Sequence, residues 1–397
     1  MSTGSDDEVV RAQIQEIIQA SSKHDIQALE RCINAHSFME CKAVDVQDPT
    51  TGFTPLHAAI ASCQTLPNGD GHEPSNQEEE QGANTLRFLL ENGAIWNQLD
   101  NNDETPGCLA HRLGLSHLYH IMVDAGVRAE MLLSRLEEYE ELNDNEDAEE
   151  DSVEDAQPAG TELEQTPDAE TTDLQQEVNS SVYLSSTLSL GKDKLLDERH
   201  NGVMMAWESD IMSQSADAIL FQPNLQILNI GFGMGIVDSH IQNHTNKPAN
   251  HHILEAHPDI LAEMSHKGWM DKSNVIVHNG KWQDVLPRLV SEGVVFDAIY
   301  FDTFAESYSQ FREFFSEQVI GLLNPDGRWS FFNGMGADRQ ISYDVYQKVL
   351  ELDLFESGFD VEWKDVDLPK LDGEWEGVRR KYWNVDRYRL PICKFMD

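Results

Sequence analysis

The sequence predicts two folds in one chain: an all-α repeat region at the front and a doubly wound α/β sheet domain behind it. Three observations carry the prediction. A Thr-Pro-Leu-His segment at 54–57 has a looser counterpart starting at Thr105; a glycine-rich turn at 231–235 joins an apolar strand pattern to an apolar-periodic helix; and strand and helix patterns then alternate up to residue 333. Such alternation is what a parallel sheet covered by helices on both faces requires.

Residues 1–135 form the repeat region. VVRAQIQEIIQ (9–19) and DIQALERCIN (25–34) read as an amphipathic helix pair that caps the front. GFTPLHAAIA (52–61) resembles the T-P-L-H-x-A signature of ankyrin repeats, and DETPGCLAHRLG (103–114) resembles it more loosely. Thr54 and Thr105 are 51 residues apart, more than one ankyrin period of about 33, so the excess is assigned to a loop in the polar stretch 64–83. TLRFLLENGA (85–94) and HLYHIMVDAGV (117–127) supply the second helices, each ending at a glycine suited to a left-handed cap. A single repeat cannot bury its own apolar face, hence the stack. His57 is expected to be a structural hydrogen-bonder of the turn, not a catalytic base.

Residues 136–177 read as an acidic flexible linker. From Leu136 to Gly191 there is no Lys or Arg, and 137–173 is dominated by Asp, Glu, Thr and Pro, whose charges repel and whose apolar content cannot offset the entropy of ordering. Its first residues, 129–141, keep apolar spacing and extend the preceding helix. Over the whole chain of 397 residues, 71 acidic against 28 basic side chains give a net charge of −43, which argues against nucleic-acid or anionic-membrane partners. The start MSTGSDDEVV carries no secretory pattern, and five cysteines without a close CxxC pair fit reduced thiols, so cytoplasm and nucleus are the expected compartments.

Residues 178–397 carry the chemistry. LQILNIGFGMGIVDSHIQ (225–242) is a buried strand, a turn through Gly231, Gly233 and Gly235, and a helix; the glycines let the backbone turn sharply and come close to a ligand. The next strand, HHILEAH (251–257), places Glu255 near its end, where a carboxylate can take two ribose hydroxyls. VIVHNG (275–280), the helix in GKWQDVLPRL (280–289), and the buried strand FDAIYFDTF (296–304) ending in Asp302 follow in order. Ligands of such sheets lie at the carboxyl ends of the strands, so Gly231, Glu255, Trp282 and Asp302 converge on one edge. A helix through 311–323, a turn NPDG (324–327), a strand RWSFFN (328–333) and a terminal hairpin from 359–368 and 382–395 complete the domain. The spacing G-x-G-x-G, with Ile236 where a third dinucleotide glycine would stand, counts against a nicotinamide-dependent dehydrogenase.

That spacing resembles motif I of S-adenosylmethionine-dependent methyltransferases, with one departure: Asn229 stands where the family often has an acid. The resemblance implies a seven-stranded Rossmann-like domain. More narrowly, VMMAWESDIM (203–212), GFGMGI (231–236), LEAH (254–257), GKWQD (280–284) and YFDTF (300–304) resemble guanidinoacetate N-methyltransferase. Joined to the ankyrin-like region and the acidic linker, the chain is similar along nearly its full length to the fungal protein arginine N-methyltransferase 2 family. The resemblance implies methyl transfer from S-adenosylmethionine to the δ (N5, internal) guanidino nitrogen of arginine residues in proteins.

Carried over by position, the resemblance assigns cofactor contacts to Tyr183, Met204, Met212, Phe232, Gly233, Met234, Gly235, Ile236, Val237, Glu255, Ala256, His257, Trp282, Gln283 and Asp302. Glu255 would bind ribose, Trp282 and Gln283 would frame adenine, and the methionines would line the sulfonium side, core packing being their alternative role. Glu208 and Asp302 match the acids that grip the guanidino group, a pairing suited to a protonated, delocalised acceptor that must be oriented and relieved of a proton. Asp297 is the poorer candidate because its side chain points elsewhere. No metal is expected: His240, His244, His251, His252 and His257 lack a thiolate pair and read as polar-face residues. The expected partner is a basic, arginine-containing protein, docked on the ankyrin region and drawn by the acidic surface; monomer or homodimer is left open. Two other readings stand beside this one, a small-molecule guanidino methyltransferase and a non-catalytic ankyrin adaptor.

Overall fold

The structure, a computed structural model, describes residues 3–39, 41–63, 76–146, 180–371 and 373–396. By contact it divides into two units, Met1–Leu133 with Gly336–Val349, and Ser134–Met335 with Leu350–Asp397. No helix among the described residues is long and apolar enough to cross a membrane, and no disulfide is present among them.

Up to residue 146 the described elements are helical: α1 (Thr3–Ser22), α2 (Ile26–Ala35), α3 (Pro55–Ser62), α4 (Asn76–Glu91), α5 (Pro106–Arg112) and α6 (Ser116–Glu146), with a 3-10 turn at Ala43–Asp45. The two Thr-Pro signals do the same job. Thr54 and Thr105 each cap a helix by accepting the N–H three residues on, with proline in the first turn, where its missing N–H costs nothing. His57 completes the first cap: its Nδ1 accepts from Thr54 N at 3.2 Å, and its Nε2 lies 3.0 Å from Glu104 O. Burial lowers its pKa and keeps it neutral, so it is a structural hydrogen-bonder as expected.

Two local expectations change. Residues 76–83, expected in a loop, open α4: the Gln- and Glu-rich stretch is a good helix former, and Gly82 sits where a Cβ would lie 2.5 Å from Cys63 Sγ. The rest of that loop, 64–75, lies outside the described residues. Gly93 takes the left-handed cap (φ +82°), but Gly126 does not end a helix. It lies inside α6 against Trp96, whose ring a Cβ would approach to 3.2 Å. The helix expected to extend over 129–141 does so: α6 runs to Glu146, and 147–179 lies outside the described residues.

The second unit opens with α7 (Ser180–Ser185) and a small antiparallel sheet, β1 (Ser189–Leu190), β2 (Lys194–Leu196) and β3 (Gly202–Met205), then α8 (Ser209–Ile219). The main sheet follows: β4 (Gln226–Ile230), β5 (Asn250–Glu255), β6 (Val275–Asn279), β7 (Phe296–Phe301), β8 (Leu323–Phe331), β9 (Phe359–Asp367) and β10 (Arg387–Phe395). Its order is β6-β5-β4-β7-β8-β10-β9, seven strands as expected, parallel from β6 through β8, with β10 antiparallel to both β8 and β9. Helices α9 (Ile236–Asn243), α10 (Pro258–His266), α11 (Trp282–Ser291) and α12 (Tyr308–Glu313) make the crossovers; α12 continues through a π-helical stretch, Phe314–Val319, into α13 (Ile320–Leu322), and α14 (Gln340–Glu356) precedes β9. The expected NPDG turn lies within β8, where the register to β7 jumps from Phe296↔Leu323 to Ala298↔Arg328.

The central strands β4, β5 and β7 are buried on both faces, which is why they read as largely apolar runs. One face is an aromatic layer around Trp282, Phe301, Phe314 and Trp329; the other gathers Met212, Ile227, Phe232 and Tyr300. The chain leaves β4 toward β5 and β6 and returns to β7 on the opposite side, so the carboxyl ends of β4 and β7 open the crevice where such sheets take ligands.

Candidate active site

The turn after β4 is forced to be glycine by contact. Gly231 has φ +90°, and a Cβ there would lie 1.9 Å from the backbone oxygen of Asp302, because the ends of β4 and β7 close on one another through the bond from Asp302 N to Ile230 O (2.8 Å). Gly233 (φ +55°) faces Met204, whose Cε a Cβ would approach to 2.7 Å. Met204 in turn accepts the N–H of Met234 on its sulfur at 3.2 Å, so β3 is fastened across the turn by a soft side chain.

Glu255, at the end of β5, holds the turn from the other side. Its Oε2 accepts from Phe232 N (2.9 Å) and Gly233 N (3.4 Å), and its Oε1 from Ala256 N (2.8 Å) and His257 N (2.7 Å). Burial raises its pKa, and the four amide bonds oppose that shift by favouring the carboxylate. Ribose hydroxyls would therefore compete with amides already bound, and the long contact to Gly233 is the one most easily given up.

A cleft of about 640 Å³ opens between these elements. Of the residues the sequence singled out, Tyr183, Met204, Gly233, Glu255, Ala256, Trp282, Gln283 and Asp302 line it. Met234, Gly235 and Ile236 line a different cavity, on the far side of the glycine turn. Met212, Phe232, Val237 and His257 are buried beside the cleft and form part of neither cavity wall. His257 nevertheless has a structural role. Its Nδ1 caps α10 by accepting from Asp259 N (3.1 Å), its Nε2 reaches Tyr183 O (3.2 Å), and its ring lies 5.0 Å from that of Tyr183. It fixes the aromatic that closes one end of the cleft.

The two acids singled out by the sequence, Glu208 and Asp302, both have their carboxyl groups buried in the α/β unit. Glu208, at the end of a 3-10 turn (Ala206–Glu208) before α8, is 2% exposed, and its Oε1 accepts from Met205 N at 3.0 Å and from the Tyr382 hydroxyl. Burial, and then the charge of Asp302, pushes its pKa up to about 8, against the opposing pull of these two bonds. Asp302 follows β7; its Oδ2 is buried with no hydrogen-bond partner among the described residues, and burial together with the charge of Asp238 pushes its pKa up to about 7. Asp297 is elsewhere, accepting from Gln226 N (2.8 Å) and Asn324 Nδ2 (2.6 Å) at the opposite end of the strands.

The departure at Asn229 is answered by Asp238 on α9, which the sequence did not single out. The Asn229 amide donates to Asp238 Oδ1 (2.9 Å) and to Gly231 O (2.9 Å), and His251 Nε2 lies 3.1 Å from the same carboxylate oxygen, all three side chains fully buried behind the turn. An acid on the helix thus lies beside the turn where the strand carries an amide. Asp238→Asn keeps an acceptor for Asn229 and removes the like charge, so the midpoint of the Asp302 carboxyl should fall below about 7; titration of carboxyl-labelled protein by NMR reads this, and an unmoved midpoint would mean the two acids do not interact.

The histidines are placed differently from expectation. His251, His252 and His257 are buried, not on a polar face; His240 bonds Ser209 (3.0 Å) and His244 pairs with Asp217 (3.0 Å). The strand that carries His251 and His252 is covered on both faces, which sequence alternation alone did not reveal. Among the described residues, Glu16, Cys32 and His36 bring three ligand-type atoms within 4.8 Å of one another, and an ion-pair contact of 3.3 Å between His36 and Glu16 accounts for two of them.

Other residues of the cleft, and one beside Glu208, went unassigned. Lys281, Thr303 and Phe304 sit inside the GKWQD and YFDTF motifs, so their signal was present. Glu306, which accepts from Trp282 Nε1 at 3.2 Å, lies in a segment without periodicity and gave none; Tyr382 was placed in the hairpin strand expected over 382–395, whereas β10 begins only at Arg387 and Tyr382 precedes it with its hydroxyl on Glu208.

The strand order, the glycine turn at the switch point and the acids at the strand ends define a methyltransferase fold of the doubly wound class. The guanidinoacetate N-methyltransferase family model matches residues 190–364, a span that includes most of the cleft. Proteins named Protein arginine N-methyltransferase 2 are 56% identical in Aspergillus fumigatus (97% of this chain, 96% of the relative), 55% in Aspergillus oryzae (97% of each) and 44% in Neurospora crassa (97% and 96%). The chain belongs to the protein arginine N-methyltransferase 2 family.

Proposed function

We propose that the protein transfers the methyl group of S-adenosylmethionine to the δ (N5, internal) nitrogen of arginine side chains in proteins. The observation that carries this reading is the pair Glu208 and Asp302: two buried carboxyl groups, both raised in pKa, Asp302 lining the cleft and its charge acting on Glu208. The cleft suits the donor on three counts. Glycines allow the backbone to approach, Met204 offers a soft contact, and Asp302 Oδ2 and Thr303 Oγ1 are buried polar atoms with no partner among the described residues. The donor would supply an electrophilic methyl on a sulfonium, and its sulfur would leave neutral. Glu208 and Asp302 would draw the guanidinium in, hold its plane and take the proton released as the acceptor nitrogen forms its bond to carbon. The pKa of about 8 for Glu208 suits that last step, since a group titrating near working pH both ionises and accepts.

The δ assignment follows the resemblance of the WES, GFGMG and YFDTF segments. The helical front region, read as ankyrin-type repeats on its paired Thr-Pro caps, is proposed to dock the arginine-bearing substrate, with the acidic surface drawing a basic partner. Action in cytoplasm and nucleus belongs to the same proposal. A second reading, transfer to a small guanidino compound, is favoured by the match of the cleft region to guanidinoacetate N-methyltransferase.

One experiment separates the two. The full chain is incubated with methyl-labelled S-adenosylmethionine and a basic protein extract, and acid hydrolysates are analysed by mass spectrometry for the methylarginine isomer. The expected result is label in protein, on the internal nitrogen. Label on a terminal nitrogen would refute the δ assignment, and label confined to free guanidino metabolites would move the function to the small-molecule reading.

A further inference from the structure

The segment between β9 and β10 sends one side chain to the acceptor acids. Residues 379–382 run beside the start of β3, tied by Arg379 N to His200 O (2.8 Å) and by Gly202 N to Arg380 O (3.4 Å). Gly202 makes room for the Tyr382 ring: a Cβ there would stand 3.0 Å from its Cε1. The ring is then clamped by two others, with Trp207 stacked at 6.3 Å and 26° and Trp375 edge-on at 5.0 Å and 88°. Its hydroxyl donates to Glu208 Oε1.

That same oxygen accepts from Met205 N. Both bonds from the described residues therefore fall on Oε1, and Oε2 receives neither. A carboxylate held through one oxygen by a backbone amide and a clamped phenol cannot rotate to exchange its oxygens.

We propose that Tyr382 is a positioning residue of the acceptor site: by holding Glu208 Oε1 it leaves Oε2 as the single oxygen that meets the incoming guanidino nitrogen. This rests on the function proposed above. Tyr382 acts through Glu208 and is not itself a group that takes the proton; its burial and the neighbouring Glu208 charge hold the phenol protonated well above neutral pH, so it remains a donor throughout the working range. The titratable groups around Glu208 are Asp302 and Tyr300 of the β7 end and Tyr382. Of these only Tyr382 donates a hydrogen bond to Glu208, and that bond favours the ionised form.

The test is Tyr382→Phe in the full chain, with the pH profile of kcat/KM and binding of S-adenosylmethionine measured side by side. Loss of the bond raises the Glu208 midpoint, so the acid limb should move up by about one pH unit. Activity at neutral pH should then fall about tenfold and recover at alkaline pH. Cofactor affinity should stay within about twofold of wild type. Because the effect runs through Glu208, adding Tyr382→Phe to Glu208→Gln should change nothing further. Trp375→Phe disturbs the same segment but keeps the hydroxyl, and should leave the limb in place. A loss uniform across pH, or additive losses in the double variant, would overturn the proposal. If the wild-type protein transfers no methyl group, the proposed function fails, and the NMR titration of the labelled Glu208 carboxyl still decides on Tyr382: a higher midpoint in Tyr382→Phe supports its role, and an unchanged one refutes it.

Discussion

Glu208→Gln should abolish most turnover while making the protein harder to unfold. The two signs follow from one fact, the carboxyl pushed up to about 8 in a site that leaves it 2% exposed. Glutamine keeps the acceptor for Met205 N and the Tyr382 hydroxyl, so the local frame should survive. What it loses is the negative charge and the capacity to take a proton, a loss on the order of 10²–10³-fold in kcat/KM with cofactor binding retained. In stability the raised carboxyl works against the fold. Its folded pKa lies above the unfolded value, so its favourable contribution is complete only below about pH 4.5 and is lost progressively as pH rises through about 8. Replacement removes that loss. The thermal midpoint of the variant should exceed wild type by a few degrees near pH 8, and the two should converge in acid. Equal midpoints at both pH values would show that Glu208 titrates normally, and undiminished turnover would remove it from the reaction.

Gly231→Ala should be the most damaging methyl group one can add to the site. Two costs coincide: an L residue at φ +90°, and a Cβ 1.9 Å from the Asp302 backbone oxygen. Backbone cannot give way as a side-chain tip can, and the combined penalty is about 3–5 kcal/mol. Gly293→Ala supplies the control, with φ +71° and open space around the added carbon, and should cost about 1 kcal/mol from the backbone alone. Thermal unfolding and S-adenosylmethionine binding measure both variants. If the two proved equally mild, the ends of β4 and β7 would not be in the contact described, and Asp302 would have to be placed anew.

The parts legible in the sequence share a physical character. Strands β4, β5 and β7 are buried on both faces, so they appeared as apolar runs, and the acids that end or follow them, Glu255 and Asp302, were visible as interruptions of those runs. Thr54 and Thr105 were legible because a cap is a local device that needs only the next three residues. What escaped depends on chain segments far apart. Asp238 meets Asn229 because a helix turn brings it under the strand end, and Tyr382 reaches Glu208 across 174 residues of chain from a segment that reads as part of a strand. The opening of α4 was misread for a different reason: a polar run without apolar spacing looks like a loop, although Gln and Glu favour helix. Within the FGMGIV turn, a motif match could not show that Gly233 alone lines the cleft, that Met234, Gly235 and Ile236 line a second cavity, and that Phe232 and Val237 line neither.

The four amides gathered by Glu255 set a limit on redesign. An enlarged pocket for synthetic donors carrying bulkier alkyl groups would ordinarily begin with the polar residue nearest the sugar. Glu255, which the proposed function sets against the ribose, is a keystone: cutting it back would release Phe232, Gly233, Ala256 and His257 together and dissolve the turn it was meant to widen. Room has to be sought elsewhere in the lining, at Val203 or Leu184, whose apolar side chains line the cleft without carrying the turn. The cleft thus combines a residue that cannot be cut back with others open to retooling.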